Sequence, residues 1–367
     1  GFMKNNPLEN FIPNNYSEDN YNIFDLHRPQ VDNIILASPG GKKMTRELDL
    51  IDVWFDSGSM PYAQLHYPFE NKSIFEKQFP ADFIAEGVDQ TRGWFFTLHA
   101  ISTLLFNSVA YKNVISNGLV LDKNGNKMSK RLGNAVDPFK TINLHGADAT
   151  RWYMISNAQP WDNLKFDEEG IVEVKRKFFG TLYNTYSFYA LYANIDNFNY
   201  EEEKQPINKR EKIDKWIISE MNSLIKEVES FYEDYEPTKA ARAIQNFVIN
   251  KLSNWYIRLN RRRFWKGEYN YDKKNAYCTL FECLKDIALI SSPIAPFYMD
   301  RLYQDLTKNE KSVHLALFPK YDQKLIKPEL EGEMQLAQRL SSSILSLRKK
   351  EKIRVRQPLK SALIATS

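Results

Sequence analysis

The sequence predicts an α/β region followed by an α-helical bundle, and three observations predict it. Short apolar runs separated by glycine, proline and asparagine occupy the chain up to about residue 165. A strand candidate, an acid-glycine turn and a helix start follow one another over residues 83–90, the order in which open parallel sheets present ligand sites at strand ends. From about Phe166 onward, apolar residues recur at three- and four-residue spacing with few strand signals.

At 367 residues and 43% apolar content the chain is long enough for two or three domains with their own cores. Fifty Lys and Arg against 46 Asp and Glu leave a formal charge of only +4, so any nucleic-acid surface must come from local clustering. The two cysteines, Cys278 and Cys283, lie in a helical pattern, which excludes a four-cysteine zinc site and reads as buried structural thiols in a reducing, cytoplasmic setting. No run of eighteen apolar residues suggests a membrane span, and the asparagine-rich start carries no secretory pattern.

Taken in order, residues 1–30 read as irregular connection, and residues 31–37 and 48–55 as strands separated by Ser38-Pro39-Gly40-Gly41. Phe83-Ile84-Ala85 reads as a buried strand ending at Glu86-Gly87, and Asp89 as the cap of a helix over residues 90–106. Val114-Ile115 and Leu119-Val120-Leu121 supply further strands, and a helix is expected over 146–155. Pro160-Trp161-Asp162 marks a boundary. Beyond it Ile213, Ile217, Met221, Leu224, Val228 and Phe231 form one stripe. Ala241, Ile244, Val248, Leu252, Trp255 and Leu259 form another, on a helix opened by Pro237. Helices over 277–290 and up to Leu306, and a last one from Met334 to Leu347, complete the bundle; the chain ends in an apolar run that reads as the start of a strand.

Three segments carry chemistry: Asp52-Val53-Trp54-Phe55-Asp56-Ser57-Gly58-Ser59, Glu86-Gly87-Val88-Asp89-Gln90-Thr91-Arg92-Gly93-Trp94-Phe95 and Lys127-Met128-Ser129-Lys130-Arg131. The last follows the turn Asp122-Lys123-Asn124-Gly125, so its cations ride on a loop able to close over phosphates. Glu86 and Asp89 stand where a helix start would welcome a phosphate, which points them at hydroxyl or ammonium donors instead. Arg258, Arg261 and Arg262 can share one helix face, suited equally to RNA phosphates and to a solvated helix end; the basic run 349–356 is open in the same way.

In this order the three segments resemble the distal half of the catalytic domain of the isoleucyl-tRNA synthetases, which are class I aminoacyl-tRNA synthetases. Residues 252–265 resemble their helical anticodon-binding domain. The resemblance implies an exit linker from an editing insertion over residues 1–30 and the distal catalytic half over 31–165. It implies the anticodon-binding helices over 166–345 and the start of a C-terminal region over 346–367. It also implies that Lys127 and Lys130 engage the triphosphate of ATP, with Lys130 stabilising the departing pyrophosphate while Met128, Ser129 and Arg131 shape the loop. Glu86, Gly87 and Asp89, with Gln90 adjoining, would hold the ribose and amino-acid moieties of the aminoacyl-adenylate. Trp54 and Trp94 would line an apolar slot for the branched side chain. Isoleucine, ATP with Mg2+ as substrate and the isoleucine tRNA are the implied partners of an intact, monomeric enzyme.

Two departures qualify the resemblance. The family's first ATP-binding signature, His-x-Gly-His, does not occur, since His145-Gly146 lies in a different context, so this chain alone is expected to be inactive. At the Ser38 turn the family commonly carries a Cys-Pro-x-Cys-Gly-Gly knuckle; without thiols, no structural zinc is expected. The rival readings are a valyl-tRNA synthetase and a non-catalytic RNA-binding module.

Overall fold

The computed structural model describes residues 2–4, 9–12, 15, 17–23, 25, 27–49, 52–202, 205–308, 311–361 and 363, without the side chains of residues 2–4, 21 and 130. The chain forms two compact units, Gly1–Ala85 with Asp89–Val114, and Glu86–Val88 with Ile115–Ser367.

In the first unit, β1 (Phe2–Lys4) pairs antiparallel with β2 (Ile35–Ala37) after a short helix, α1 (Glu18–Tyr21), and β2 pairs antiparallel with β3 (Lys43–Met44). The described part of residues 1–30 is thus less irregular than expected. The Asn20 side chain ties α1 back by donating to the carbonyls of Ile12 and Asn15, at 3.0 and 2.7 Å. The expected strand over 31–37 shortens to β2, because Gln30–Asn33 winds into a 3-10 turn. The Ser38 turn closes a hairpin in which the Ser38 hydroxyl accepts from the Lys42 amide, 3.0 Å away.

The expected strand over 48–55 is a correction. Its Leu50 and Ile51 lie outside the described residues, and α2 (Val53–Gly58) begins at Val53 because the Asp52 carboxylate accepts from the Trp54 amide at 2.7 Å, an N-cap in extended backbone. Then come α3 (Met60–Ala63), α4 (Lys72–Gln78), β4 (Ala81–Gly87), α5 (Trp94–Phe106) and β5 (Tyr111–Asn117), with β4 and β5 hydrogen-bonded neighbours. Buried Phe75 packs against Tyr67, Phe79 and Phe106, at ring separations of 4.3–5.1 Å.

In the second unit β6 (Val120–Leu121) leads to the lysine loop and to α6 (Pro138–His145), which Asp137 caps with Pro138 in its first turn. The helix α7 (Ala147–Asn157) follows, and β7 (Leu164–Lys165) returns to pair parallel with β6. Around them stand α8 (Glu168–Val174), α9 (Gly180–Ile195), α10 (Lys212–Glu233), α11 (Pro237–Asn246), α12 (Arg258–Trp265), α13 (Tyr271–Ser291), α14 (Pro296–Thr307) and α15 (Pro328–Lys350). Their core centres on fully buried Trp152, stacked on Phe178 at 4.1 Å, with Trp216, Tyr256 and Tyr277.

Both cysteines are buried, reduced and within α13. The α10 stripe holds, with Ile217, Met221, Leu224 and Val228 buried. The second stripe fails at its end. Residues 247–257 wind as a π-helix, whose wider turn shifts the phase, so Tyr256 and Ile257 are buried while Leu259 is 56% exposed. The segment read as a boundary, Pro160-Trp161-Asp162, lies against Gly118, whose amide donates to the Pro160 carbonyl at 2.9 Å. The apolar run at the chain end lies almost entirely outside the described residues.

Candidate functional site

In the first unit, four of the expected site residues converge. Trp94 opens α5, and its indole N-H donates to the Ser57 carbonyl of α2 at 3.0 Å. The two helices can approach because residue 58 is glycine: a Cβ there would lie 2.7 Å from the Ile101 side chain and 3.1 Å from the Thr97 backbone. A Cβ on Gly93 would lie 3.0 Å from the Trp54 ring and 2.9 Å from Gln90 Oε1, so Trp54 rests against the bare backbone that starts α5. Trp54 is 46% exposed, leaving part of an aromatic ring uncovered beside Trp94.

The expected cap is corrected here. Residues Val88–Arg92 form a 3-10 turn, and α5 begins only at Trp94 with Gly93 as its cap residue. Its first amide is satisfied by Gln90, whose Oε1 accepts from the Trp94 N-H at 3.0 Å while its Nε2 donates to Asp89 at 2.9 Å. Gln90, one position nearer the helix and with the longer side chain, takes the bond expected of Asp89. Asp89 is thereby left exposed beside the tryptophans, with one carboxylate oxygen held by Gln90. Gln90, expected only as a neighbour, is therefore the residue that joins Asp89 to Trp94.

Glu86 and Gly87 end β4 and fall in the second unit, where the Glu86 side chain is exposed. The lysine loop, also in that unit, leaves β6 through a tight turn. The Asp122 amide donates to the Asn126 carbonyl and the Gly125 amide to the Asp122 carbonyl, both at 2.9 Å, with Gly125 at a positive φ of 88°. A bridge between Leu121 and Lys127 sets the returning chain antiparallel. Met128 is half-buried against the core, above a cavity of about 500 Å³ that Val120, Val136, Met154 and Phe166 help to line. Lys127 and Arg131 are exposed and have no side-chain partner among the described residues. Lys130 sits in a 3-10 turn, and its side chain lies outside the described residues.

Two polar residues that sequence reasoning passed over hold this loop. Asp122 Oδ1 accepts from the amides of Asn124 and Asn126, at 3.0 and 2.8 Å. Asn134 Nδ2 donates to Asp122 Oδ2 at 3.0 Å and to the Lys127 carbonyl at 3.2 Å, while its Oδ1 accepts from the Ser129 amide at 2.9 Å. The Asn126 amide first, then the Asn134 side chain, hold the Asp122 carboxyl below the ordinary aspartate range. The signal was available: Asp122 opens a turn sequence, and Asn134 follows Gly133, whose φ is 68°.

Along α12, Arg258, Arg261 and Arg262 are exposed and unpaired among the described residues, whereas Arg263 turns inward. Arg263 donates to both oxygens of fully buried Asp214 at 2.8 Å and pairs with Asp272 at 2.7 Å; Tyr256 also donates to Asp214, at 2.7 Å. A cavity of about 930 Å³ separates this helix from α15, with Trp255, Arg258 and Leu259 facing Gln335, Gln338 and Arg339. Among the described residues no three His, Cys, Asp or Glu side chains come together to hold a metal, and no helix is long and apolar enough to cross a membrane.

Comparison with known proteins bears on these sites. Residues 8–167 match the family model "tRNA synthetases class I (I, L, M and V)", and residues 214–363 match "Anticodon-binding domain of tRNA ligase". An isoleucine--tRNA ligase of Bacteroides fragilis is 63% identical over 99% of this chain and 33% of its own length. Those of Porphyromonas gingivalis and Clostridium tetani are 61% and 50% identical, over 99% and 93% of this chain and 32% and 33% of their own lengths. Among solved structures, a ternary complex of Agrobacterium radiobacter LeuRS with tRNA and LeuAMS superposes with a TM-score of 0.65 at 20% identity, over 80% of this chain and 36% of that one. Methionyl-tRNA synthetase of Mycobacterium tuberculosis with methionyl-adenylate does so at 0.58 and 18% identity, over 68% and 49%. At those identities the structures speak for the fold alone, an α/β catalytic region followed by a helical bundle. The chain spans about a third of the length of the curated relatives it matches. By its sequence matches it belongs to the class I tRNA synthetases and, within them, to the isoleucine--tRNA ligases.

Proposed function

We propose that the full-length protein containing this chain joins isoleucine to ATP, releasing pyrophosphate, and then transfers isoleucine to its tRNA. The observation that carries the reading is the lysine loop, in which Lys127 stands exposed and, among the described residues, unpaired, on a backbone held by Asp122 and Asn134. A fixed backbone with the exposed Lys127 ammonium group suits charge that develops on a departing pyrophosphate, because a cation so held is in place before that charge appears. Lys130 is assigned the larger share of that task, with Lys127 beside it and with Met128, Ser129 and Arg131 shaping the loop.

The exposed face of Trp54 with Trp94 is assigned to the branched side chain of isoleucine, and Asp89, Gln90, Glu86 and Gly87 to the adenylate's ribose and ammonium groups. Mg2+ enters with ATP as part of the substrate, and no structural zinc is assigned to the Ser38 hairpin. The groove between α12 and α15 is assigned to RNA: Trp255 offers a stacking face, and Arg258 and Arg339 offer charge. Arg261 and Arg262 extend that charge along the helix end. We take the four sequence segments, 1–30, 31–165, 166–345 and 346–367, as linker, distal catalytic half, anticodon-binding helices and the start of a further region. The enzyme is read as a cytoplasmic monomer.

Isoleucine-dependent exchange of pyrophosphate into ATP tests the reading. The expected result is no exchange by this chain alone and exchange selective for isoleucine over valine by the full-length protein. Exchange selective for valine would overturn the substrate assignment. Silence of the full-length protein with intact tRNA binding would favour an RNA-binding module.

A further inference from the structure

We infer that Asn134 and Asp122 are positioning residues for the lysine loop, a clasp that sets where the ammonium groups stand without touching the substrate. The inference rests on the reading of this loop as the phosphate-contacting element.

Lys127, Met128 and Ser129 lie between the hairpin turn and Gly133, and regular secondary structure gives this stretch little support. The bridge at Lys127 and one 3-10 turn at Lys130–Leu132 are all it has. Asn134 meets the stretch from the far side at two points, the Lys127 carbonyl and the Ser129 amide, which flank Met128. One side chain therefore serves as donor to one peptide group and acceptor from another, which a primary amide can do and a carboxylate or hydroxyl of the same length cannot do equally. Asn134 is itself held by Asp122, whose other oxygen is occupied by the turn amides of Asn124 and Asn126. The clasp thus joins the root of the loop to both sides of Met128 and leaves Lys127 free to reach outward.

Chemistry at the loop depends on small distances. A misplacement of about 1 Å in a catalytic group costs on the order of 100-fold in rate, so a residue that fixes backbone here acts on turnover more than on ground-state binding. Three variants separate the cases. Asn134→Ala removes the three bonds that Asn134 makes and leaves those between Asp122 and the turn amides. Asn134→Asp keeps an acceptor for Ser129 but sets a carboxylate against Asp122. The exchange Asp122→Asn with Asn134→Asp restores one donor and one acceptor in reversed order, so a hydrogen bond between the two positions can re-form.

The test has two readouts on the full-length protein. Amide hydrogen exchange follows Ser129 and Leu132, whose N-H groups donate to Asn134 and to the Ser129 carbonyl. Isoleucine-dependent pyrophosphate exchange gives kcat and KM, with Lys127→Ala and Lys130→Ala run in parallel. The expected result for both single Asn134 variants is faster exchange at Ser129, a fall in kcat of roughly 10- to 100-fold, an unchanged KM for isoleucine and partial recovery in the double exchange. Unchanged amide exchange at Ser129 in Asn134→Ala overturns the clasp. Faster amide exchange with unchanged kcat, while Lys127→Ala or Lys130→Ala still loses activity, overturns the positioning role alone. If Lys127→Ala and Lys130→Ala both also keep full activity, the phosphate-contacting reading of the loop is what has failed.

Discussion

The lysine loop and the end of α12 are both dense in basic residues, and the structure uses them in opposite ways. On the loop, Lys127 and Arg131 are left unpaired among the described residues, and all the ordering is applied to the backbone beneath them. On α12 the fourth arginine, Arg263, is committed to a buried ion pair with Asp214, while Arg258, Arg261 and Arg262 stay outside. What decides between the two is where an acid falls after folding. Asp214 comes from α10, 49 positions earlier, and is fully buried, so its charge must be met from within. Asp122 is turned instead to peptide groups and to an asparagine, which leaves Lys127 and Arg131 unclaimed among the described residues.

The contrast is broken most severely at Arg263. Arg263→Ala leaves Asp214 buried with Tyr256 as its remaining side-chain donor among the described residues, and should cost about 3–5 kcal/mol of stability, read by urea or thermal unfolding. A change of less than about 1 kcal/mol would mean that Asp214 finds water or another partner.

A second acid of the bundle sharpens the point. Asp286, on α13, has no ion-pair partner among the described residues, and burial raises its pKa to about 6, with Lys285 opposing the shift and Glu282 adding to it. The folded chain then binds this proton more tightly than the unfolded chain does. Stability from this group therefore falls as pH rises from about 4 through about 6 and is level above that. Asp286→Asn should stabilise the protein at pH 7 by up to about 3 kcal/mol and change little at pH 4, which unfolding at the two pH values checks.

On the loop, Lys127→Ala should leave unfolding unchanged but lower isoleucine-dependent pyrophosphate exchange by about 100-fold, the reverse of the Arg263 pattern. The smallest effect belongs to the exposed arginines. Arg258→Ala and Arg262→Ala should each shift stability by less than about 0.5 kcal/mol. Each should also lower the slope of tRNA affinity against salt by about one unit for every phosphate no longer neutralised. An unchanged slope in both would mark the helix end as merely solvated.

Much of this was readable before folding. The bundle helices announced themselves because helical periodicity is set by the residues that must face one core, and α10 shows it from Ile217 to Val228. The β4 strand and the acid-glycine turn were legible from apolar residues met by Glu86-Gly87. The start of α5 was not, because Asp89 and Gln90 are both able to accept from a helix amide and only the 3-10 turn that contains them both decides which one does. Residues 52–55 misled because Val, Trp and Phe favour strands, while a single aspartate cap and the approach at Gly58 favour a helix. Nor could spacing tell Arg263 from Arg262, since the difference lies in an acid on another helix. The clasp was hidden for the same reason: Asp122 and Asn134 are twelve positions apart and meet only when the loop closes.

Gly118 bears on how this protein can be taken apart. A Cβ at that position would lie 2.2 Å from the Asp162 carbonyl oxygen, and just beyond it β6 finds its strand partner in β7, more than forty residues on. The loop's root is therefore built from two stretches of chain that a single cut between residues 122 and 163 would separate. Pieces divided there would each carry half of a two-strand ladder, and a protease acting inside that interval would release the lysines from their foundation while leaving every one of them in place in the sequence. Divided forms meant to recombine are best cut after residue 166, where the β6–β7 ladder travels whole.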